Sequence, residues 1–146
     1  MIIVVDTNIV ISALITPNSR LARLLTHHSF SAKRITGHIL LTEVTEHISK
    51  IIKASKRSNE SVTNDLYAYL QYLTIYDETI IEPKYWQEAD RLTKDVDSDD
   101  IIFVALALQT GGLLWTGDKK LANHLKSMGF DRVVNTEELS QMVNIS

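Results

Sequence analysis

The run Ile2 to Val5, ending at Asp6-Thr-Asn8, constrains the fold of this chain more than any other stretch. It is apolar at every position and mostly β-branched, without the alternation of a half-exposed strand. A strand of that kind must be covered on both faces. Parallel α/β sheets meet this need, because the helices that carry the chain from one strand to the next cover the sheet above and below.

The rest of the chain has the rhythm such a sheet requires. A helical pattern follows Asp6-Thr-Asn8 through Leu14 and Ile15, and Thr16-Pro-Asn-Ser19 is a turn with Ser19 placed to cap a second helix through Leu21, Leu24 and Leu25. Arg34 to Thr36 reads as a short second strand. Gly37 then leads into an amphipathic helix with Leu40, Leu41, Val44, Ile48, Ile51 and Ile52 on one side. A polar loop is expected from Ser55 to Ser61, a helix from Val62 to Leu73, and a strand within Leu73 to Ile81. Pro83 suits the first turn of a helix carrying Tyr85, Trp86, Ala89 and Leu92. An acidic loop at Asp95 to Asp99 precedes an apolar helix from Asp100 to Thr110, which Gly111-Gly112 stops. Leu113 to Trp115 is a strand, Thr116-Gly-Asp118 turns into a helix through Leu121 and Leu125, and a strand at Arg132 to Val134 precedes a short terminal helix. The expected class is a three-layer α/β/α fold with a central parallel sheet, helices on both faces, and one domain over residues 1–146.

Composition narrows the function. The net charge of −3 argues against a protein that grips nucleic acid mainly through a basic surface. It does not exclude a nuclease, because bound divalent ions offset an acidic site and contact phosphates themselves. Lys33, Arg34, Lys50, Lys53, Lys56 and Arg57 give the first half a basic bias, read as a solvated face. With no cysteine there is no disulfide framework and no thiolate site. The N-terminus lacks a basic segment and turns acidic too early for a signal peptide, and no apolar run approaches the roughly 20 residues of a membrane span. A cytoplasmic location is expected.

The chemistry-bearing residues are acids. Asp6 ends the first strand, Asp118 follows a later one, Asp100 opens an apolar helix, and Glu43 lies beside Leu40 and Val44 on a helix face. In open α/β sheets ligands bind outside the carboxyl ends of the strands, so these four converge on one edge. Crowded carboxylates repel unless cations neutralise them, and hard divalent ions prefer oxygen ligands. One or two such ions activate a water against a phosphodiester without help from histidine or cysteine. Each acid alone also has a structural reading, as a turn former or helix cap. Asp97, Ser98 and Asp99 compete to cap the helix at Asp100.

Other residues are weaker candidates. His47 stands four residues after Glu43 and reads as a surface histidine, since hard-ion sites use oxygen. His27-His28 suit a helix end. Trp86, Tyr67, Tyr69, Tyr72 and Tyr76 are able to stack bases but at helical spacing read as core or interface. Arg20, Arg23, Lys119 and Lys120 flank the acidic motifs and are candidates for phosphate contacts.

These motifs resemble those of the PIN-domain family. Val4-Val-Asp6-Thr-Asn8-Ile-Val-Ile-Ser-Ala13 is similar to the family's opening motif and Leu40-Leu-Thr-Glu43-Val to its second. Asp97-Ser-Asp99-Asp100-Ile-Ile-Phe-Val-Ala105-Leu-Ala107 is similar to its third, and Leu114-Trp-Thr116-Gly-Asp118-Lys-Lys-Leu121 to its fourth. The resemblance implies an Mg²⁺- or Mn²⁺-dependent endoribonuclease, with Asp6, Glu43, Asp100 and Asp118 as the four acids and Asn8 and Thr116 as polar residues that orient them or bind water. Asp97 is a second candidate for the third acid. It further implies a VapC-like toxin acting on RNA, held inactive by a cognate antitoxin protein and working as a homodimer. The alternative within the family is a degenerate domain that binds RNA or protein without cleaving. A haloacid-dehalogenase-like phosphatase would need a second acid where Asn8 stands, and a receiver domain would need an acidic pair at the first strand end and a lone aspartate on a middle strand.

Overall fold

A computed structural model of the chain describes residues 1–27, 31–96 and 101–143. In order, its elements are β1 (Ile2–Val5), α1 (Thr7–Ile15), α2 (Arg20–Thr26), β2 (Lys33–Gly37), α3 (Ile39–Ser55), α4 (Asn59–Leu70), β3 (Thr74–Tyr76), a 3₁₀ turn (Glu78–Ile80), α5 (Pro83–Thr93), α6 (Ile101–Thr110), β4 (Leu113–Trp115), α7 (Lys119–Ser127), β5 (Val133–Val134) and α8 (Thr136–Met142). The strands form one sheet in the order β3-β2-β1-β4-β5, and every pairing is parallel. The expected α/β/α architecture is the one observed.

The first strand is central and covered on both faces, as its composition requires. Ile3 and Val5 point into a core built with Ile9, Leu14, Leu24, Leu40, Ile51 and Val62 from α1 to α4. Val4, between them, points into a second core with Leu92, Phe103, Leu106, Leu121 and Leu125 from α5 to α7. β4 repeats the pattern, with Leu114 in the second core and Trp115 in the first. Burying each such aliphatic side chain contributes about 1.5–3 kcal/mol, so the two clusters hold the helices against the sheet. The run Phe103 to Ala107 on α6 is buried throughout, hence the absence of any polar face in that helix.

Three boundaries differ from expectation, two of them because a short polar side chain caps the backbone. The segment expected to be a loop from Ser55 to Ser61 is mostly helical. α3 ends at Ser55, Lys56 takes a left-handed conformation with φ 57°, and Ser58 caps α4 by accepting from the Ser61 N–H. α4 accordingly starts before Val62 and ends at Leu70. The strand expected within Leu73 to Ile81 is confined to Thr74–Tyr76, because Asp77 accepts from both the backbone N–H and the hydroxyl of Thr79 and turns the chain into the 3₁₀ segment. Other signals act as expected. Ser19 caps α2 through the Ala22 N–H, and Gly111, at φ +72°, stops α6.

Two arginines of the basic bias are structural, not surface charge. Arg34 is buried and donates to the carbonyls of Leu24, Leu25 and His27 at the end of α2. Arg57 donates to Leu14 O and pairs with Asp65. The lysines of the same stretch, 33, 50, 53 and 56, are exposed.

Candidate active site at the carboxyl edge of the sheet

The strand order sets where a site forms. From β1 the chain moves outward to β2 and β3, then returns to the other side of β1 for β4 and β5. The switch therefore lies between β1 and β4, and the crevice beyond their carboxyl ends is where open sheets bind ligands. Val5 pairs with Trp115, and the Asp6 N–H continues the ladder to Trp115 O at 3.1 Å. Asp6 and Thr116 thus emerge side by side, both buried to 2% exposure.

One hydroxyl organises what lies there. Thr116 Oγ1 donates to Asp6 Oδ2 at 2.8 Å and accepts from Asn8 Nδ2 at 3.2 Å and from the Asp118 N–H at 3.1 Å. A hydroxyl has one proton to give and two lone pairs to fill, so Thr116 is saturated. Asn8 also donates from Nδ2 to Asp6 Oδ2 at 3.1 Å, and its Oδ1 accepts from the Gly117 N–H, which fixes the amide's orientation. Asp6 additionally caps α1 and Asp118 caps α7 through the Leu121 N–H. The capping role and the crevice position are held by the same side chains. Thr116 and Asn8 are neutral donors, so they orient the Asp6 carboxylate without cancelling its charge.

Glu43 joins from α3. It lies in the second turn of α3, and its Oε1 accepts from the Thr7 hydroxyl at 2.9 Å, linking it to the residue next to Asp6. The start of α3 is held by a distant acid, since Glu78 Oε1 accepts from the Ile39 N–H at 2.7 Å while His38 makes no side-chain cap. A groove of about 300 Å³ runs past Glu43, bordered by Thr42, Glu46, His47 and the start of α6 at Ile101 and Ile102. His47 Nδ1 lies 2.8 Å from Glu43 O, one helical turn back, so this nitrogen is spent on the helix backbone.

A family model described as the PIN domain matches residues 4–141. The chain belongs to the PIN-domain family. Its fold is similar to those of several solved structures. VapBC2 from Rickettsia felis, solved bound to a DNA fragment from its promoter, superposes with a TM-score of 0.71 at 19% identity, covering 92% of this chain and 98% of that one. PAE2754 from Pyrobaculum aerophilum gives 0.66 at 15% identity over 97% and 94% of the two chains. VapBC-1 from nontypeable Haemophilus influenzae gives 0.65 at 16% over 94% and 99%. No curated protein matches the chain in sequence.

Within this PIN fold, Asp6, Asn8, Thr116 and Asp118 form one hydrogen-bonded group at the switch point, and Glu43 connects to it through Thr7. Asp97 and Asp100 lie outside the described residues, as do Ser98, Asp99 and His28. Among the described residues no three histidine, aspartate or glutamate side chains come close enough to form a metal-holding group by themselves. The charged groups in this region are carboxylates, and carboxylate oxygen is the chemistry that suits a hard divalent cation. Thr7 escaped sequence reading because its partner is 36 residues away and nothing local marks it.

The cationic and aromatic candidates separate cleanly. Lys119 lines a groove beside Asp118, whereas Arg20 donates to Ser140 and Arg23 to Asn18 O. Tyr69 is core, and its hydroxyl donates to Ala13 O. Tyr72 sits against the Arg34 guanidinium and Tyr76 against the Lys33 ammonium. Trp86 packs on the second core, and Tyr67 is 62% exposed.

Proposed function

We propose that this PIN domain is an Mg²⁺- or Mn²⁺-dependent endoribonuclease, the toxin of a toxin–antitoxin pair. The observation that supports it best is the Asp6–Thr116–Asp118 group at the switch point, where one saturated hydroxyl donates to the Asp6 carboxylate and accepts from the Asp118 backbone N–H, bringing the two aspartates to one place. Asp6, Glu43 and Asp118, with Asp100 or Asp97 as the remaining acid, would hold the ion. Bound there, a divalent ion polarises the phosphodiester and lowers the pKa of an attacking water. The protein's own contribution is positioning. Asn8 and Thr116 aim Asp6, Thr7 aims Glu43, and the α1 and α7 caps keep both aspartates on rigid helix starts.

By the same family resemblance the partners are an RNA substrate, a cognate antitoxin protein and a second copy of the chain. Among the described residues no helix is long and apolar enough to cross a membrane, consistent with the cytoplasmic location proposed.

The test is cleavage of a mixed RNA pool by purified protein with Mn²⁺ or Mg²⁺, beside EDTA and Asp6→Asn. Asparagine caps a helix as well as aspartate does, so α1 survives while the charge is removed. Cleavage lost in both controls supports the metal nuclease. A folded, partner-free protein that leaves RNA intact sinks it in favour of a binding module. Equal cleavage by wild type and Asp6→Asn overturns the site assignment.

A further inference from the structure

Helix α7 has a second face that the site does not use. Leu121 and Leu125 are buried, while Lys119, Asn123 and Lys126, spaced i, i+4, i+7, form an exposed stripe on another side. This stripe is one wall of a groove of about 240 Å³ that starts at Asp118. The nearly buried Val133 and Val134 of β5 and the half-buried Ala122 also line it, as does the exposed Asn135. Lys120, next in sequence to Lys119, does not line it.

We propose that this groove seats the nucleotide of a single-stranded RNA that leaves the crevice on the Asp118 side, an inference that rests on the nuclease reading above. Three properties fit that occupant. The groove is continuous with the crevice through Thr116, Gly117 and Asp118, so a strand positioned at the carboxylates has a path into it. It is smaller than the roughly 300–1,000 Å³ of drug-sized ligand sites, which suits one base or sugar-phosphate unit. It combines Lys119 and Lys126, cations for phosphates, with Ala122, Val133 and Val134, small apolar side chains against which a base or sugar can pack. Polar groups are also available for reading. Asn135 Oδ1 is taken by the Glu138 N–H, which leaves its amide NH₂ as a donor, and Asn123 is exposed. Glu138 also borders the groove, but its Oε1 accepts from the Asn135 N–H in the α8 capping box, so its charge is held against the helix start.

The test measures binding apart from cleavage. A short fluorescein-labelled single-stranded RNA of mixed sequence is titrated with the full chain in EDTA, by anisotropy, over a range of salt. Lys119→Ala and Lys126→Ala should each reduce the slope of log K against log salt by about 0.7, the loss of one phosphate contact on a single strand. Asn123→Ala should weaken binding about fivefold with the slope unchanged, the effect of one neutral hydrogen bond. Lys53→Ala, exposed near the C-terminal end of α3, should match wild type in both. Wild-type slopes for Lys119→Ala and Lys126→Ala overturn the groove, while metal-dependent cleavage by the same preparation leaves the nuclease reading standing. Absence of any RNA binding by wild type also overturns the groove. Lowered slopes in a protein that never cleaves support the groove and sink the nuclease.

Discussion

Thr116 carries more of the candidate site than any acid does. Its single hydroxyl holds Asp6, receives Asn8 and receives the Asp118 backbone, so replacing it with the isosteric valine removes three contacts without changing shape. Thr116→Val is expected to lower RNA cleavage by about 10- to 100-fold, the range for residues that orient metal ligands, and Thr116→Ser to restore most of it. Urea unfolding should show a loss of about 1–3 kcal/mol, because Asp6 and the Asp118 N–H lose a buried partner. Tyr69 offers a titration test away from the site. Burial pushes its phenol above the usual tyrosine value, Asp65 adds to the shift and Arg57 opposes it. The native state therefore favours the protonated phenol. Its contribution is complete below the ordinary tyrosine value near 10 and is lost as pH climbs through the raised native one. Tyr69→Phe should cost about 1 kcal/mol at neutral pH through the bond to Ala13 O, and the alkaline fall of the urea midpoint should become shallower.

Among the elements, α2 shows how a helix of seven residues is made to persist. Ser19 caps its start, and Arg34, from the neighbouring strand β2, gathers the carbonyls of Leu24, Leu25 and His27 at its end. Helix carbonyls at a C-terminus have no intrahelical partners, and a cation there also meets the negative end of the dipole. Burial lowers the Arg34 pKa, with Tyr72 opposing, yet a guanidinium stays protonated in a protein. Lysine lacks the fork that reaches several carbonyls at once. Arg34→Lys is expected to destabilise the fold by about 2–3 kcal/mol in denaturant unfolding, whereas Lys50→Ala, on an exposed position of α3, should fall within about 0.5 kcal/mol of wild type. The composition of the first half marks both residues alike as basic. Only the burial of Arg34 against the α2 carbonyls distinguishes them.

On the scale of the whole molecule, the two cores place β1 and β4 rigidly between layers, and Asp6 and Asp118 follow the ends of those strands while Glu43 is carried by α3. A cation held by Asp6, Glu43 and Asp118 would therefore tie α1, α3 and α7 together. Mn²⁺ or Mg²⁺ at about 100 times its dissociation constant should stabilise the fold by about 2.7 kcal/mol, read as a rise in Tm. Asp6→Asn should abolish that rise. A Tm that metal raises equally in the variant would show the ion to bind elsewhere.

The sequence alone determined the class of fold, because its signals are local. A run that is apolar at every position needs cover on both faces, and alternating strands and helices supply it. It also placed Asp6 and Asp118 at strand ends, where the chain must turn. Helix starts marked by Ser58 and the turn at Asp77 were equally local but were overlooked in polar stretches. The tertiary structure decided which strands are neighbours, that Arg34 goes inside, and which hydroxyls hold the carboxylates. The contacts responsible join residues 36, 39 and 110 positions apart, Thr7 to Glu43, Ile39 to Glu78 and Asp6 to Thr116. A hydrogen bond across such separations depends on where two packed elements end, and that is set by the cores between them, which no window of sequence contains.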